Sequence, residues 1–406
     1  MISRRRRRGL WLLVGVALFA LGMTAIAGIL LNATTPSAES ILHARGLPAT
    51  PEEWEAWHHE DPAAPNAAQH YLSAAELYES DPEAAYAQLV EAIGYTYCRF
   101  PIDRVMTSAP DRAFRRDARA LWALLEEFSR EALAEGDGDR LTETMEALLA
   151  LSHAMGQQPF FLDYLTASGM MTTVTRDLLP EALAAGILGE NQIDRMDAGL
   201  ARLEAPERAH RALLGTMAIW IRDATPIVDL PFAALAPVQW TMNITSLPGR
   251  MQAVFATDFL RIHDLLHEPY PAQREAVRGW EYSNDPVIEF IERASRSPYR
   301  IALSSAPDHF VDGVAITRGR LAAARAGLQV ERYRAHHGQL PASSDALAQA
   351  GLELPEDPLG GVPIRYALDN SGYRTWSVGR NMMDNGGHEG RGRGPDLVFQ
   401  VAAEGE

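Results

Sequence analysis

His263-Asp264-Leu265-Leu266-His267 places two imidazoles one helical turn apart, the spacing with which a helix offers two nitrogens to one zinc ion. Asp264 stands where the zincin pattern carries its glutamate base, one methylene shorter. No third ligand is legible, and an ordinary leucine-bearing surface helix produces the same spacing. His58-His59 and His336-His337 are adjacent pairs whose side chains diverge by about 100° on a helix, so neither pair alone chelates a metal. Met170-Met171 and Met382-Met383 lack a histidine at useful spacing and read as packing pairs rather than copper ligands. Cys98 is the single cysteine, which excludes an internal disulfide and a thiolate zinc cluster. No Ser/His/Asp order or nucleophile elbow is present. The zinc candidates are therefore His263 and His267, and the enzymatic reading they support is a metallohydrolase.

The elements that must position these residues are helices. Apolar stripes alternating with charge predict helices over 66–78, 83–97, 112–134, 140–155, 160–184, 191–203, 206–221, 251–267 and 286–295. Between 112 and 134, Leu121, Leu124, Leu125, Phe128 and Leu133 lie mostly on one face, opposite Arg115, Arg119, Glu126, Glu127 and Arg130. Glu135-Gly136-Asp137-Gly138-Asp139 is a turn between two such helices, and short turns imply a bundle or short array of antiparallel neighbours. Pro226 to Pro248 carries four prolines and reads as an irregular excursion.

The chain of 406 residues is 47% hydrophobic, enough to bury a sizeable core. Its net charge is −16, and every basic residue is arginine. Of the 37 basic residues, five are Arg4 to Arg8, leaving 32 against 53 acidic ones. That balance repels nucleic-acid phosphate, and no nucleic-acid partner is expected.

Arg4 to Arg8 precede an uncharged run, Gly9 to Leu31, long enough as a helix to cross a hydrocarbon core of about 30 Å. The positive-inside rule keeps residues 1–8 in the cytoplasm and sends the remainder out of the bacterial inner membrane. A cleaved signal peptide ending near Ala25-Ile26-Ala27 is the competing reading, though the apolar run exceeds a usual signal core. Residues 32–65, rich in Pro, Ala and acidic residues, read as a linker with one short helix near Glu52 to Trp57.

The C-terminal stretch predicts a small α+β element. Leu321, Ala324, Leu328 and Ala335 recur at helical spacing, and Gly338 with Pro341 stops that helix. After a short helix over 344–350, strands over 362–368 and 373–378 flank the turn Asp369-Asn370-Ser371-Gly372. A long loop, Arg380 to Pro395, leads to a third strand over 396–401. Its glycines and Arg391 and Arg393 could cradle an anion, but no strand-loop-helix context makes it a nucleotide site.

These residues resemble the globular domain of the major pseudopilin of bacterial type II secretion. The resemblance rests on Tyr333, Gly338 and Pro341 at the end of the long helix, and on Asp357-Pro358, Gly360, Pro363 and Tyr366 entering the sheet. Gly372-Tyr373, Ser377, Gly379 and Asp396-Leu397 complete it. It covers about a fifth of the chain and implies a long helix against a three-stranded antiparallel sheet. It also implies a calcium-binding loop, whose matching positions are Asn381, where the family has aspartate, and Asp396. Asp384 is a further calcium candidate from this sequence alone. Val14 stands where a pilin-type subunit has glutamate, so polymerisation as a pseudopilus is not expected. Trp54 to Tyr78, Gly138 to Pro159 and the C-terminal block together resemble an uncharacterised family of membrane-anchored bacterial proteins. That family implies no activity.

The expected protein is mainly α: a transmembrane helix over 9–31, a helical bundle or array over 66–305, and a pseudopilin-like α+β domain over 306–406. Its expected role is interaction with envelope protein partners outside the inner membrane, with calcium as the cofactor candidate. The alternative is an envelope zinc metallohydrolase using His263 and His267.

Overall fold

The computed structural model describes residues 36–58, 64–100, 113–223, 247–280, 306–369, 372–388 and 395–402. The expected span over 9–31, the Arg4 to Arg8 cluster, Pro226 to Met242, the helix over 286–295, and Arg391 and Arg393 lie outside these residues. Among the described residues, no helix is long and apolar enough to cross a membrane.

The chain is mainly helical, with one small antiparallel sheet at its C-terminal end. The helices are α1 (Ala38–His43), α2 (Pro51–His58), α3 (Ala68–Leu77), α4 (Pro82–Glu91), α5 (Ala113–Glu135), α6 (Gly138–Gly156) and α7 (Phe161–Thr173). They continue as α8 (Leu179–Ala184), α9 (Glu190–Glu204), α10 (Glu207–Asp223), α11 (Leu247–Leu265), α12 (Tyr270–Arg278), α13 (Ala306–His337) and α14 (Ser344–Gln349). The strands are β1 (Arg365–Asp369), β2 (Gly372–Ser377) and β3 (Leu397–Ala402).

These elements fall into two compact units, one holding the described parts of 1–60 and 216–261, the other 61–215, 262–280 and 303–406. In the first, α1 forms where only a linker is expected. The Ser37 hydroxyl accepts from Ser40 N and caps the helix, and Leu42 and Trp54 are fully buried. Glu53 joins α2 back to α1 by accepting from Ala49 N and meeting His43 Nε2 at 2.8 Å.

In the second unit, the Gly-Asp turn works as its composition demands. Gly136 takes φ +69, and Asp137 caps α6 by accepting from Arg140 N, so α5 and α6 pack as neighbours. Arg115 of α5 and Asp163 of α7 form a buried ion pair. The helix expected over 160–184 runs unbroken from Phe161 through α7 and α8 to Ala184, and between the two lies a π-turn over Val174–Leu178. Pro180 is the physical reason, since a proline there has no N–H and its ring crowds the preceding turn, which widens to accommodate it.

Helix α13 is the spine of the C-terminal part. Its small face, Gly319, Ala322, Ala323, Ala326 and Gly327, lets the sheet approach so closely that a Cβ on Gly327 would lie 2.3 Å from the Phe399 ring. Thr375 Oγ1 donates to Ala323 O and Tyr373 Oη to Gly327 O across that contact. The opposite side of α13 is ionic: Arg325 pairs with Asp197 and Glu204, and Arg332 with Asp194 and Asp197, all on α9. The helix ends where expected, at Gly338 with φ +71. The sheet has order β1-β2-β3, both pairs antiparallel, with Asp369 opposite Gly372 at the hairpin and Ser377 opposite Leu397.

Candidate functional site

Helices α10 and α11 bring three histidines together. His210 is on the first turns of α10 beside buried Ala209, Ala212 and Leu213. His263 is on the last turn of α11, and His267 is in the tight turn that closes it, where His267 N donates to Asp264 O. One nitrogen from each ring lies within 4.8 Å of the other two. His210 is buried, His263 half-buried and His267 exposed, so the cluster opens to solvent on one side.

The ring geometry is specific. His210 and His267 stack with centres 4.0 Å apart and planes 20° apart, and His263 stands edge-on to both, at 5.0 Å from His210 and 5.2 Å from His267. A closed tetrahedral zinc site brings its nitrogens to roughly 3.3 Å of each other, given Zn–N bonds near 2.0 Å. Binding therefore requires the rings to draw inward by about an ångström and one ring to leave the stack.

His210 is held in the form a metal requires. Burial first, then the neighbouring His267, His263 and Arg318, lower its pKa to about 3, so the imidazole is neutral at physiological pH. Its Nδ1 is buried and has no hydrogen-bond partner. Asp264 is exposed, with a carboxylate oxygen 3.6 Å from His263 Nδ1. A metal on Nε2 of His263 would leave Nδ1 facing that carboxylate, which orients the ring and raises its basicity. The arrangement can hold a divalent transition metal through three imidazoles and leave a coordination position toward solvent.

His263 and His267, expected from spacing, are thus on one site. His210 is the residue sequence reasoning missed. It is isolated in Arg-Ala-His-Arg-Ala, and only the packing of α10 beside the end of α11 identifies it. The other pair, His336-His337, is divergent as expected: His336 meets Glu190 and His337 lies against Tyr333.

The calcium candidates are placed together, but their oxygens serve the chain itself. Asp384 Oδ1 accepts from Trp376 Nε1 and Gly386 N, and Oδ2 from Arg365 Nε. Asp396 Oδ2 accepts from Asn385 N and Gly387 N, and Asn381 Oδ1 from Met383 N. Although burial opposes it, the Gly386, Trp376 and Arg365 donors hold the Asp384 pKa below the usual range. Burial raises that of Asp396 despite its two backbone donors. Calcium would share the lone pairs of these carboxylates with the N–H donors already bound to them.

The Asp-Pro entry to the sheet, Asp357-Pro358, has a structural role of its own. Fully buried Asp357 accepts from Leu359 N, Ser377 Oγ, Val378 N and Arg365 Nη1, pinning the 355–361 loop to the end of β2.

Searches against protein-family models, curated proteins and solved structures return no match to this chain.

Proposed function

We propose that this protein binds a divalent transition metal, zinc, through His210, His263 and His267, with the fourth coordination position open to water. The single observation carrying this reading is the convergence of three imidazole nitrogens within 4.8 Å, one of them on a buried ring whose Nδ1 has no hydrogen-bond partner. Three protein ligands plus water is the arrangement of hydrolytic zinc sites, so the reaction class is metal-assisted hydrolysis. The run over 9–31 would anchor the chain in the bacterial inner membrane with this unit outside it.

The test is the metal content of the full chain purified in detergent without chelator. The expected result is one zinc per chain, lost in His210→Ala and in His263→Ala and retained in His336→Ala. Wild-type protein that takes up no zinc on addition of the ion refutes the reading.

A second reading, interaction with envelope protein partners through the pseudopilin-like C-terminal part, is favoured by Val362, Leu368 and Met383, large apolar side chains exposed on that part. Crosslinking in native membranes tests it. A partner lost when all three become Ser supports it, and a partner retained by that variant removes these residues from the interface.

A further inference from the structure

The two outer strands of the sheet are finished differently. Helix α8 packs against β3 on one side. On the other, the loop 355–357 pairs only with the approach to β1, where Ile364 N donates to Pro355 O and Asp357 N to Val362 O. N–H groups alternate in direction along an extended strand, so with that of Ile364 turned away from β2, those of Tyr366 and Leu368 turn away as well. The register agrees: Asp369 faces Gly372 across the hairpin, which puts 365, 367 and 369 in the hydrogen-bonded pairs with β2. Among the described residues, no backbone bond joins Tyr366 or Leu368 to a segment outside the sheet.

This edge is also apolar. Leu368 is 44% exposed, although its cross-strand neighbour Tyr373 is fully buried on the same face, bonded to Gly327 O of α13. The helix therefore covers the middle of the sheet and leaves the end of β1 bare. Monomeric proteins blunt such edges with proline, lysine or an inward charge. The five residues of β1 include neither proline nor lysine, and the Arg365 guanidinium is turned back onto Asp384 through Nε and Asp357 through Nη1.

We propose that the edge of β1 pairs with the same edge of a second copy, antiparallel about Ala367. The loop 355–357 closes the edge before Arg365 and the hairpin closes it after Asp369, so 365–369 is the stretch available and its centre fixes the register. Arg365 then faces Asp369 of the second copy, Tyr366 faces Leu368, and Ala367 faces its equivalent across the two-fold axis. The Tyr366–Leu368 pairs are those whose N–H and C=O groups point outward, so each exchanges both of its hydrogen bonds. Arg-Tyr-Ala-Leu-Asp is self-complementary in this order: opposite charges meet at both ends, with Nη2 of Arg365 toward the incoming carboxylate, and an aromatic ring covers each exposed leucine. The inference goes beyond the partner reading above by naming a second copy as the partner, and it is independent of the zinc site.

The test uses added cysteines in the full chain purified in detergent, with the wild-type chain reporting the background from buried Cys98. Cα atoms of a non-hydrogen-bonded antiparallel pair lie about 4.5 Å apart, within disulfide reach. Ala367→Cys should therefore give a disulfide-linked dimer on mild oxidation. Val362→Cys should give at least tenfold less, because an axis at Ala367 holds the two copies of residue 362 about 33 Å apart. Leu368→Lys should slow the Ala367→Cys crosslink about tenfold or more, and Asp369→Arg about fivefold or more. Both should keep the wild-type circular dichroism, and the comparison of the two cysteines decides alone if either misfolds. Absence of the Ala367→Cys dimer, a crosslink as fast in Val362→Cys, or a rate unchanged by either charge substitution overturns the proposal. Ala367→Cys joined only to a different protein in native membranes also overturns it, and leaves the partner reading standing.

Discussion

The imidazoles of His210 and His267 lie nearly parallel with ring centres 4.0 Å apart, one on α10 and the other just past the end of α11. Neutral rings can stack in this way, but an ion between α10 and α11 would fasten two helices whose connection runs through more than twenty intervening residues. A metal bound only by the folded chain stabilises it by about 2.7 kcal/mol at a hundred times its dissociation constant. Zinc should therefore raise the melting temperature of the wild-type chain and leave that of His210→Ala unchanged. Differential scanning calorimetry with and without zinc checks this, and an equal rise in both proteins would place the ion elsewhere.

Calcium should leave the melting temperature unchanged. The oxygens of Asp384 and Asp396 already accept N–H groups from Trp376, Gly386, Asn385 and Gly387, so an ion there would compete with these donors for carboxylate lone pairs. A calcium-dependent rise abolished by Asp384→Ala and Asp396→Ala would restore the loop as a calcium site.

Replacing Asp357 should damage the C-terminal part more than any other single polar change in it. One buried carboxylate satisfies four donors, and Asp357→Ala leaves all of them, including the Arg365 guanidinium, without that acceptor. Loss of about 3–5 kcal/mol is expected from breaking a buried charge pair of this kind. Urea denaturation followed by Trp376 fluorescence measures it, and a loss under about 1 kcal/mol would mean the loop re-forms its bonds to water.

Gly327→Ala should be costly although alanine is the better helix former. The added methyl would lie 2.3 Å from the Phe399 ring, inside contact distance, and overpacking of this sort costs about 1–3 kcal/mol. Phe399→Leu in the same chain should return part of that loss. Additive destabilisation by the two changes, read from chemical denaturation, would show that the ring is not the obstacle.

His153 should make stability fall with acid. Burial first, then Arg208, Arg202 and Arg211, lower its pKa from 6.5 to about 3, so the folded chain keeps the ring neutral where the unfolded chain protonates it. The unfolded state then binds more protons between those values. Stability from this group is fully present above about pH 6.5 and is lost toward pH 3, by up to about 1.4 kcal/mol per pH unit. His153→Gln should flatten the slope of stability against pH in that window, and an unchanged slope would assign it to other groups.

The helical class, the C-terminal helix and its hairpin were legible in the sequence because their signals are local. Apolar residues recur at helical spacing in α5, Gly338 carries the left-handed end of α13, and Asp369 to Gly372 supply a tight turn. Half of the candidate site was legible for the same reason, since His263 and His267 are four residues apart in the sequence, although the helix ends at Leu265 and His267 lies in the turn that follows. Spacing says nothing across a gap, and His210 became a ligand candidate only when α10 packed its face against the end of α11. The calcium candidates show the converse: Asn381, Asp384 and Asp396 have the right atoms, and only the tertiary structure shows which backbone and side-chain donors their oxygens also serve. Residue type determines what a group can bind, and only the fold decides which partner reaches it first.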